Sequence, residues 1–318
     1  MSAFGLGCAS FVSEARGVAV EEARQILRTA LDEGIDFLDT ANMYAGGDSE
    51  RLIGEVVADR RSEYTLCTKV GVRLSDPTDT RTMTTDSTTD ALLRQVEESL
   101  GRLRTDHVDY LLLHQFDPAR SPQEQMESLA AVRERGLTRK VGFSNFPVDA
   151  AEAALSTGIA EAVEYSLNLI DDRNVPQLRA AGEHGCLRIS FGTFAHGLLA
   201  EDLSATTEFG PLDWRRRSRE SGDARTSGNV FYAGDAYAAN LAVADALRGI
   251  GREHGFTLGE LAVAALANLG LSDVVLLGCR SVAELRSNLD GGGKPLPEEA
   301  ARAVREVLAA CPTAPVAA

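Results

Sequence analysis

The sequence predicts an α/β fold, a closed (β/α)₈ TIM barrel with long loops on one rim. Short apolar runs alternate with amphipathic stretches at helical spacing through almost the whole chain. There are eight such runs, a number that suits a closed ring of parallel strands better than an open sheet. At 318 residues the chain is also long enough for one barrel of roughly 250 residues with insertions. Residues 1–318 are therefore expected to form a single domain, with a frayed tail from Pro312.

The elements follow in order. The first run is Phe4–Cys8. In 20–33, Val20, Ala23, Ile26, Leu27, Ala30 and Leu31 fall on one helical face. The second strand is Phe37–Asp39, after which Ser49 stands before Glu50, Arg51 and Leu52 as a helix N-cap. Thr65–Val70 is the third strand, Thr88 to Leu103 a helix, and Val108–His114 the fourth strand. A helix over 122–135 leads to the fifth and sixth strands, Val141–Ser144 and Glu161–Tyr165. A helix over 175–184 precedes the seventh strand, Leu187–Phe191. A long helix over 241–268, broken at Gly255, precedes the eighth, Val274–Gly278.

Two segments interrupt this rhythm. Residues 74–88 are polar and turn-rich. Residues 201–238 are polar and contain Arg215-Arg216-Arg217. Both follow strands, which places them on the rim where barrel enzymes keep their chemistry. They read as lids or specificity loops, or as solvated insertions without a role.

A net charge of −15 and a pI near 4.8 argue against nucleic acid as a partner. They leave room for an anionic ligand held by local arginines or backbone N–H groups. The cysteines (8, 67, 186, 279 and 311) are scattered, without C-x-x-C or a Cys/His cluster. Free thiols, a reducing compartment and no metal site are expected. No signal-peptide pattern opens the chain. No run reaches the ~20 apolar residues of a membrane span. A cytoplasmic protein is expected, monomeric by default.

Lysine is almost absent. Arginine supplies 29 of the 32 basic residues, leaving Lys69, Lys140 and Lys294. Lys69 sits at the end of the third strand, where it reads either as a snorkelling stem or as an ammonium kept for chemistry. Its neighbours favour chemistry. The second strand ends in Asp39, Tyr44 follows on the connecting loop, and the fourth strand ends in His114. Each has a plainer reading: a loop cap, a packing ring, a core histidine. Barrel strand ends converge on one mouth, so four such groups at three successive strand ends predict a cluster. An ammonium beside a phenol lowers the phenol's pKa, an aspartate holds the lysine, and a histidine orients a substrate oxygen. Such a set is a general acid for a developing alkoxide, as carbonyl reduction requires when another group delivers hydride.

These residues resemble the aldo-keto reductase superfamily along nearly the whole chain. Gly34-Ile35-Asp36-Phe37-Leu38-Asp39-Thr40-Ala41, with Tyr44 and Ser49-Glu50, resembles its first signature. Ser99-Leu100-Gly101-Arg102-Leu103 through Asp106 and Asp109 to His114 resembles its second. Val141-Gly142-Phe143-Ser144-Asn145-Phe146 resembles the strand that holds the nicotinamide, and Gly278-Cys279-Arg280-Ser281 through Asn288-Leu289 the adenosine-phosphate segment. The resemblance implies a carbonyl reductase acting on an aldehyde, ketone or keto-sugar with NADP(H), NAD(H) being the alternative. It implies Tyr44 as general acid, Asp39 and Lys69 as its tuners and His114 as the substrate-orienting group. Ser144 and Asn145 would meet the carboxamide, and Phe191 would stack on the nicotinamide ring. Gly197 and Leu198 would pass the pyrophosphate. Gly278, Arg280, Glu284 and Asn288 would line the adenosine end, with Arg280 on the 2′-phosphate.

The chain departs from the family pattern in four places. Ala162 stands where a carboxamide-binding glutamine is usual, leaving Glu161 or Glu164 as substitutes. Glu284 replaces a glutamine or a base, and Ser287 a glutamate, which suits a ribose hydroxyl better than a phosphate. Thr193-Phe194 replaces Pro-Leu. The chain starts almost at its first barrel strand, without the hairpin that plugs the floor in relatives. Two other readings stay open. One is a tailoring enzyme that reduces a keto-sugar or biosynthetic intermediate, nucleotide-linked sugars included, with Arg215, Arg216 and Arg217 meeting a phosphate or else covering the loop's own carboxylates or solvent. The other is a slow-turnover nucleotide-sensing or partner-regulating protein. A Rossmann reading fails, because Ser10 stands where Gly5-Leu6-Gly7 would need its third glycine.

Overall fold

The computed structural model describes residues 3–12, 18–75, 82–200, 203–210, 213–221, 231–233 and 236–310. The strands are β1 (Phe4–Gly7), β2 (Phe37–Asp39), β3 (Thr65–Val70), β4 (Val72–Leu74), β5 (Met83–Thr85), β6 (Val108–Leu113), β7 (Thr138–Ser144), β8 (Ala162–Ser166), β9 (Leu187–Phe191) and β10 (Val274–Leu277). Eight of them close a parallel barrel in the order β1-β2-β3-β6-β7-β8-β9-β10, with β10 pairing back onto β1. The expected barrel is therefore present. β4 and β5 form an antiparallel hairpin outside the ring.

The helices are α1 (Val20–Asp32), α2 (Asp48–Val56), α3 (Thr89–Leu103), α4 (Pro122–Glu134), α5 (Val148–Ser156), α6 (Val175–Glu183), α7 (Trp214–Ser221), α8 (Ala236–His254), α9 (Leu258–Asn268), α10 (Val282–Gly293) and α11 (Glu298–Ala310). None among the described residues is long and apolar enough to cross a membrane.

The core has two parts because each strand is buried on both faces. One set of side chains packs outward under the helices, as Ala23, Ile26, Leu27 and Ala30 of α1 do from the other side. The alternate set fills the lumen, where Phe37, Cys67, Leu112, Ala162, Ile189 and Leu276 pack together. Helix ends are set locally. Ser121 and Glu124 form a capping box at α4, and Thr257 with Glu260 forms another at α9. Gly255, at φ +77°, breaks α8 from α9, at the position expected from the sequence.

One close approach sets the spacing of the strands beneath the site. A Cβ on Gly142 would lie 1.9 Å from the Ala162 carbonyl oxygen across the β7–β8 pair. Gly142→Ala should therefore lower stability by at least ~1–3 kcal/mol, read as a fall in Tm by calorimetry. An unchanged Tm would mean that the two strands part without penalty.

Several local expectations are corrected. Ser49 does not cap α2, whose N-cap is Gly47. The Ser49 hydroxyl is buried and bonds the Thr40 hydroxyl and the Cys8 carbonyl oxygen instead. The polar segment 74–88 is partly ordered as β4–β5, because Val72, Leu74, Met83 and Thr85 supply paired edges. The segment 201–238 contains α7 and the start of α8. The tail from Cys311, together with residues 76–81 and 222–230, lies outside the described residues.

Candidate active site

The strands carry their chain straight into the rim. The Thr40 N–H donates to the Cys67 carbonyl, Asn42 to Lys69 and His114 to Val70. The loops after β2, β3 and β6 thus start as extensions of the sheet. Asp39, Lys69 and His114 end on this level as expected, and Tyr44 joins them.

Tyr44 stands on a tight turn. Ala45, Gly46 and Gly47 all have positive φ, at 48°, 63° and 94°, and only glycine takes that region without strain. Gly47 is also pressed against Arg102, whose Cδ would be 2.8 Å from an added Cβ. Arg102 Nε donates to Glu50 at 2.7 Å, and the Thr68 hydroxyl donates to the other Glu50 oxygen at 2.6 Å. Buried Glu50 therefore ties the Tyr44 turn to α3 and to β3, one residue before Lys69.

Lys69 is fully buried, a costly place for a cation without partners. Its Nζ donates to Asp39 Oδ1 at 2.6 Å, to Asp39 Oδ2 at 2.7 Å and to the Thr40 carbonyl at 3.1 Å. A second carboxylate, Glu164 on β8, has Oε2 at 3.2 Å from the same nitrogen. Burial disfavours the ammonium, yet Asp39 and Glu164 outweigh it and hold Lys69 charged well above its usual range. Burial pushes the Asp39 carboxyl up against the pull of Lys69. It pushes Glu164 up to about 8, helped by the charge on Asp39.

The Tyr44 ring lies 5.3 Å from Lys69 Nζ, centroid to nitrogen. It meets the His114 ring edge-on at 5.6 Å. The expectation that its phenol is shifted downward is corrected. Burial raises it; Lys69 pulls it down as expected, but Asp39 and Glu164 push it further up, and the net direction is upward. Burial and the Lys69 charge bring His114 down to about 3, so the ring is neutral at working pH. Its Nδ1 is buried and makes no hydrogen bond among the described residues.

The other candidate residues lie along the rim from β7 to β10. Asn145, at φ +59°, donates to the His114 carbonyl at 3.2 Å and to the Ser144 hydroxyl at 2.9 Å. Phe191 ends β9 half-buried. Beyond it, Ala195, His196 and Gly197 run through positive φ (45°, 55°, 107°), and Leu198 is buried. The Tyr232 hydroxyl holds that turn by donating to the His196 carbonyl at 2.9 Å. Gly278 faces open space: an added Cβ would meet nothing within 4 Å. At the start of α10, Glu284 accepts from the Arg280 backbone N–H at 2.8 Å and from its guanidinium at 3.0 Å. Asn288 is buried and donates to Cys279 Sγ at 3.6 Å.

Of the substitutes expected for the missing glutamine, Glu161 is excluded. It points outward near the start of β8 and accepts from Arg133 at 2.8 Å. Glu164 is a lumen residue beside Lys69 that was not expected from the sequence as a member of the Asp39–Tyr44–Lys69–His114 cluster. Its signal was present, since Ala162, Glu164 and Ser166 alternate onto one face of a fully buried strand. The loop arginines pair within their own segment. Arg215 is bidentate to Asp213 and lies over the Phe209 ring at 4.5 Å, and Arg216 pairs with Glu220. The Arg217 side chain lies outside the described residues. The ligand atoms of Asp39, Cys67 and Glu164 lie within 4.8 Å of one another, but the Lys69 ammonium already stands among them, bonded to both Asp39 oxygens and 3.2 Å from Glu164. A cavity of about 790 Å³ lined by Lys140, Arg179, Arg188 and Asp273 opens at the opposite end of the barrel.

Known proteins are similar to this chain. The oxidoreductase YqkF of Bacillus subtilis (strain 168), described as uncharacterized, is 29% identical over 201 residues. The match spans 63% of this chain and 63% of that protein, under two thirds of its length. Aldo-keto reductase str7 of Strobilurus tenacellus is 27% identical over 297 residues, 90% of this chain and 81% of the relative. The structure of glycerol dehydrogenase AKR11B4 from Gluconobacter oxydans superposes with a TM-score of 0.81 at 23% identity, over 100% of this chain and 94% of that one. Residues 3–309 match the model of the aldo/keto reductase family, and the chain therefore belongs to that family.

Proposed function

We propose that the protein reduces an aldehyde, ketone or keto-sugar carbonyl with NAD(P)H, acting as one barrel domain. The observation that carries this reading is the convergence of Asp39, Tyr44, Lys69 and His114, with every N–H of a fully buried Lys69 engaged. A barrel has no structural need for a buried ammonium next to a phenol.

The residues along the rim fit a nicotinamide dinucleotide. Gly278 leaves its approach open, and Ala195–Gly197 turns backbone through positive φ beside it. Ser144 and Asn145 offer polar groups at the end of β7, and Phe191 offers a π face at the end of β9. Ala162 offers no polar group, so the carboxamide would be held by Ser144 and Asn145. When bound, the reduced nicotinamide supplies the hydride. Tyr44 donates its phenolic proton to the oxygen that becomes the alcohol, and His114, kept neutral, orients that oxygen. Lys69 stabilises the phenolate left behind, and Asp39 holds Lys69 in place.

For the cofactor we propose NADP(H), on the strength of Arg280, a guanidinium able to fork onto a 2′-phosphate. A second reading, NAD(H), is favoured by one contact: Glu284 already occupies that guanidinium at 3.0 Å. Calorimetric titration with NADPH and with NADH separates the two, alongside reduced-nicotinamide consumption on a panel of simple carbonyls. NADPH should bind more tightly. Glu284→Gln should tighten NADPH by about two- to fivefold, the scale of a half-exposed ion pair, and leave NADH nearly unchanged. Tighter binding of NADH by the native chain would overturn the NADP(H) assignment. Binding of neither would remove the support for a reductase.

A further inference from the structure

Two carboxylates and one cation share the closed lumen beneath Tyr44. An ammonium has three donors, and those of Lys69 all go to Asp39 and the Thr40 carbonyl. Glu164 stands 3.2 Å from Nζ yet receives no aligned hydrogen bond on that oxygen, and it is only 2% exposed. The ionisable groups around it are Asp39 from β2, Cys67 and Lys69 from β3, Tyr44 from the turn and His114 from the rim of β6. Cys8 lies beyond Asp39. Burial keeps both thiols neutral, and His114 is neutral as well. From β7, β9 and β10 come the Ser144 hydroxyl and the apolar Ile189 and Leu276. With both acids ionised, the lumen would hold an uncompensated buried anion. Asp39 has both oxygens on the ammonium and so retains the charge. An oxygen of Glu164 lies within 4.8 Å of one of Asp39, and two carboxyls that close in a buried site do not readily ionise together, so one of them keeps its proton.

We infer that Glu164 keeps its proton at neutral pH beside an ionised Asp39, and acts as a positioning residue whose ionisation weakens Tyr44 as an acid. The inference rests on the proposed role of Tyr44. A neutral Glu164 leaves one negative charge against Lys69, and a phenolate is then tolerated beside it. An ionised Glu164 adds a second negative charge, which opposes formation of that phenolate. Carbonyl reduction should therefore decline on the alkaline side as Glu164 loses its proton.

Infrared titration of the native protein tests the first half without turnover. A protonated carboxylic C=O band should be present at pH 7, shift when the chain carries ¹³C-glutamate, disappear on raising the pH, and be absent from Glu164→Gln. No such band, or a band that ignores the label, overturns the inference. The pH profile of kcat/KM tests the second half. The ratio of kcat/KM at pH 9 to that at pH 6.5 should be at least about threefold higher in Glu164→Gln than in the native enzyme, since glutamine cannot acquire the charge. An unchanged ratio overturns the tuning role, because a merely structural glutamate would not set the alkaline limb. Should Tyr44→Phe retain reduction, the proposed function and the tuning role fall together, while the infrared band still decides where the proton sits.

Discussion

Replacing Tyr44 by phenylalanine is expected to lower kcat for carbonyl reduction by about 10²–10⁴-fold, the usual contribution of a general acid. The change removes one oxygen and keeps the ring, so the edge contact with His114 and the approach to Lys69 are preserved. Affinity for reduced nicotinamide should stay nearly constant, because the residues proposed to hold it lie from β7 to β10. The upward shift of the phenol sharpens the expectation. Tyr44 is fully protonated at every working pH, so the proton is always available and the barrier depends on how well the phenolate is then stabilised. Steady-state rates with several aldehydes, beside a fluorescence titration of cofactor, measure both quantities. Substantial activity in Tyr44→Phe would show that the proton comes from elsewhere and would end the mechanism proposed here.

The second large effect is expected from Lys69→Met, which keeps the volume and removes the charge. It strips Asp39 and Glu164 of the one cation that meets them among the described residues. Breaking a buried pair from one side typically destabilises by ~3–5 kcal/mol, and loss of the phenolate's counter-charge should reduce kcat at least ~10²-fold as well. The stability loss carries a pH signature. Without Lys69, the folded-state pKa of Asp39 rises further above its unfolded value. Such a group binds protons more strongly when folded, so its stabilisation is complete at acid pH and is lost as pH rises towards the folded pKa. The deficit relative to the native chain should be largest near pH 8 and shrink near pH 5, as read by urea unfolding. Equal stability of the two chains at pH 8 would mean that the carboxylates do not depend on Lys69.

Much of the barrel was legible because its strands are continuous apolar runs. Tyr110–Leu113 is buried along its whole length, and such a run between two helical patterns has few other readings. The polar cluster at the rim was legible because polar residues ended those runs at successive strands. What escaped had physical reasons. The β4–β5 hairpin is short, polar and exposed, and cross-strand pairing leaves little trace in such a sequence. α10 begins within the segment that resembles a nucleotide site, so its helical spacing was masked by that resemblance. Ser49 looked like a cap, but its hydroxyl is spent deep in the core. Glu164 and the net shift of Tyr44 depend on how much burial outweighs one ammonium, and burial is a property of the closed lumen rather than of any local stretch.

The scarcity of lysine reaches beyond the chemistry of the site. Lys69 is sealed, while Lys140 lies near the start of β7, exposed, with its Nζ 5.5 Å from the Tyr110 ring centroid. Lys294 follows α10, whose Gly292 packs against Phe4 at the beginning of β1, and it is half-exposed beside Glu260. Both accessible side-chain amines therefore sit at the floor. A support or label that couples through lysine side chains would grip the barrel from below and leave the Tyr44 rim facing solution, a fixed orientation obtained without altering a residue.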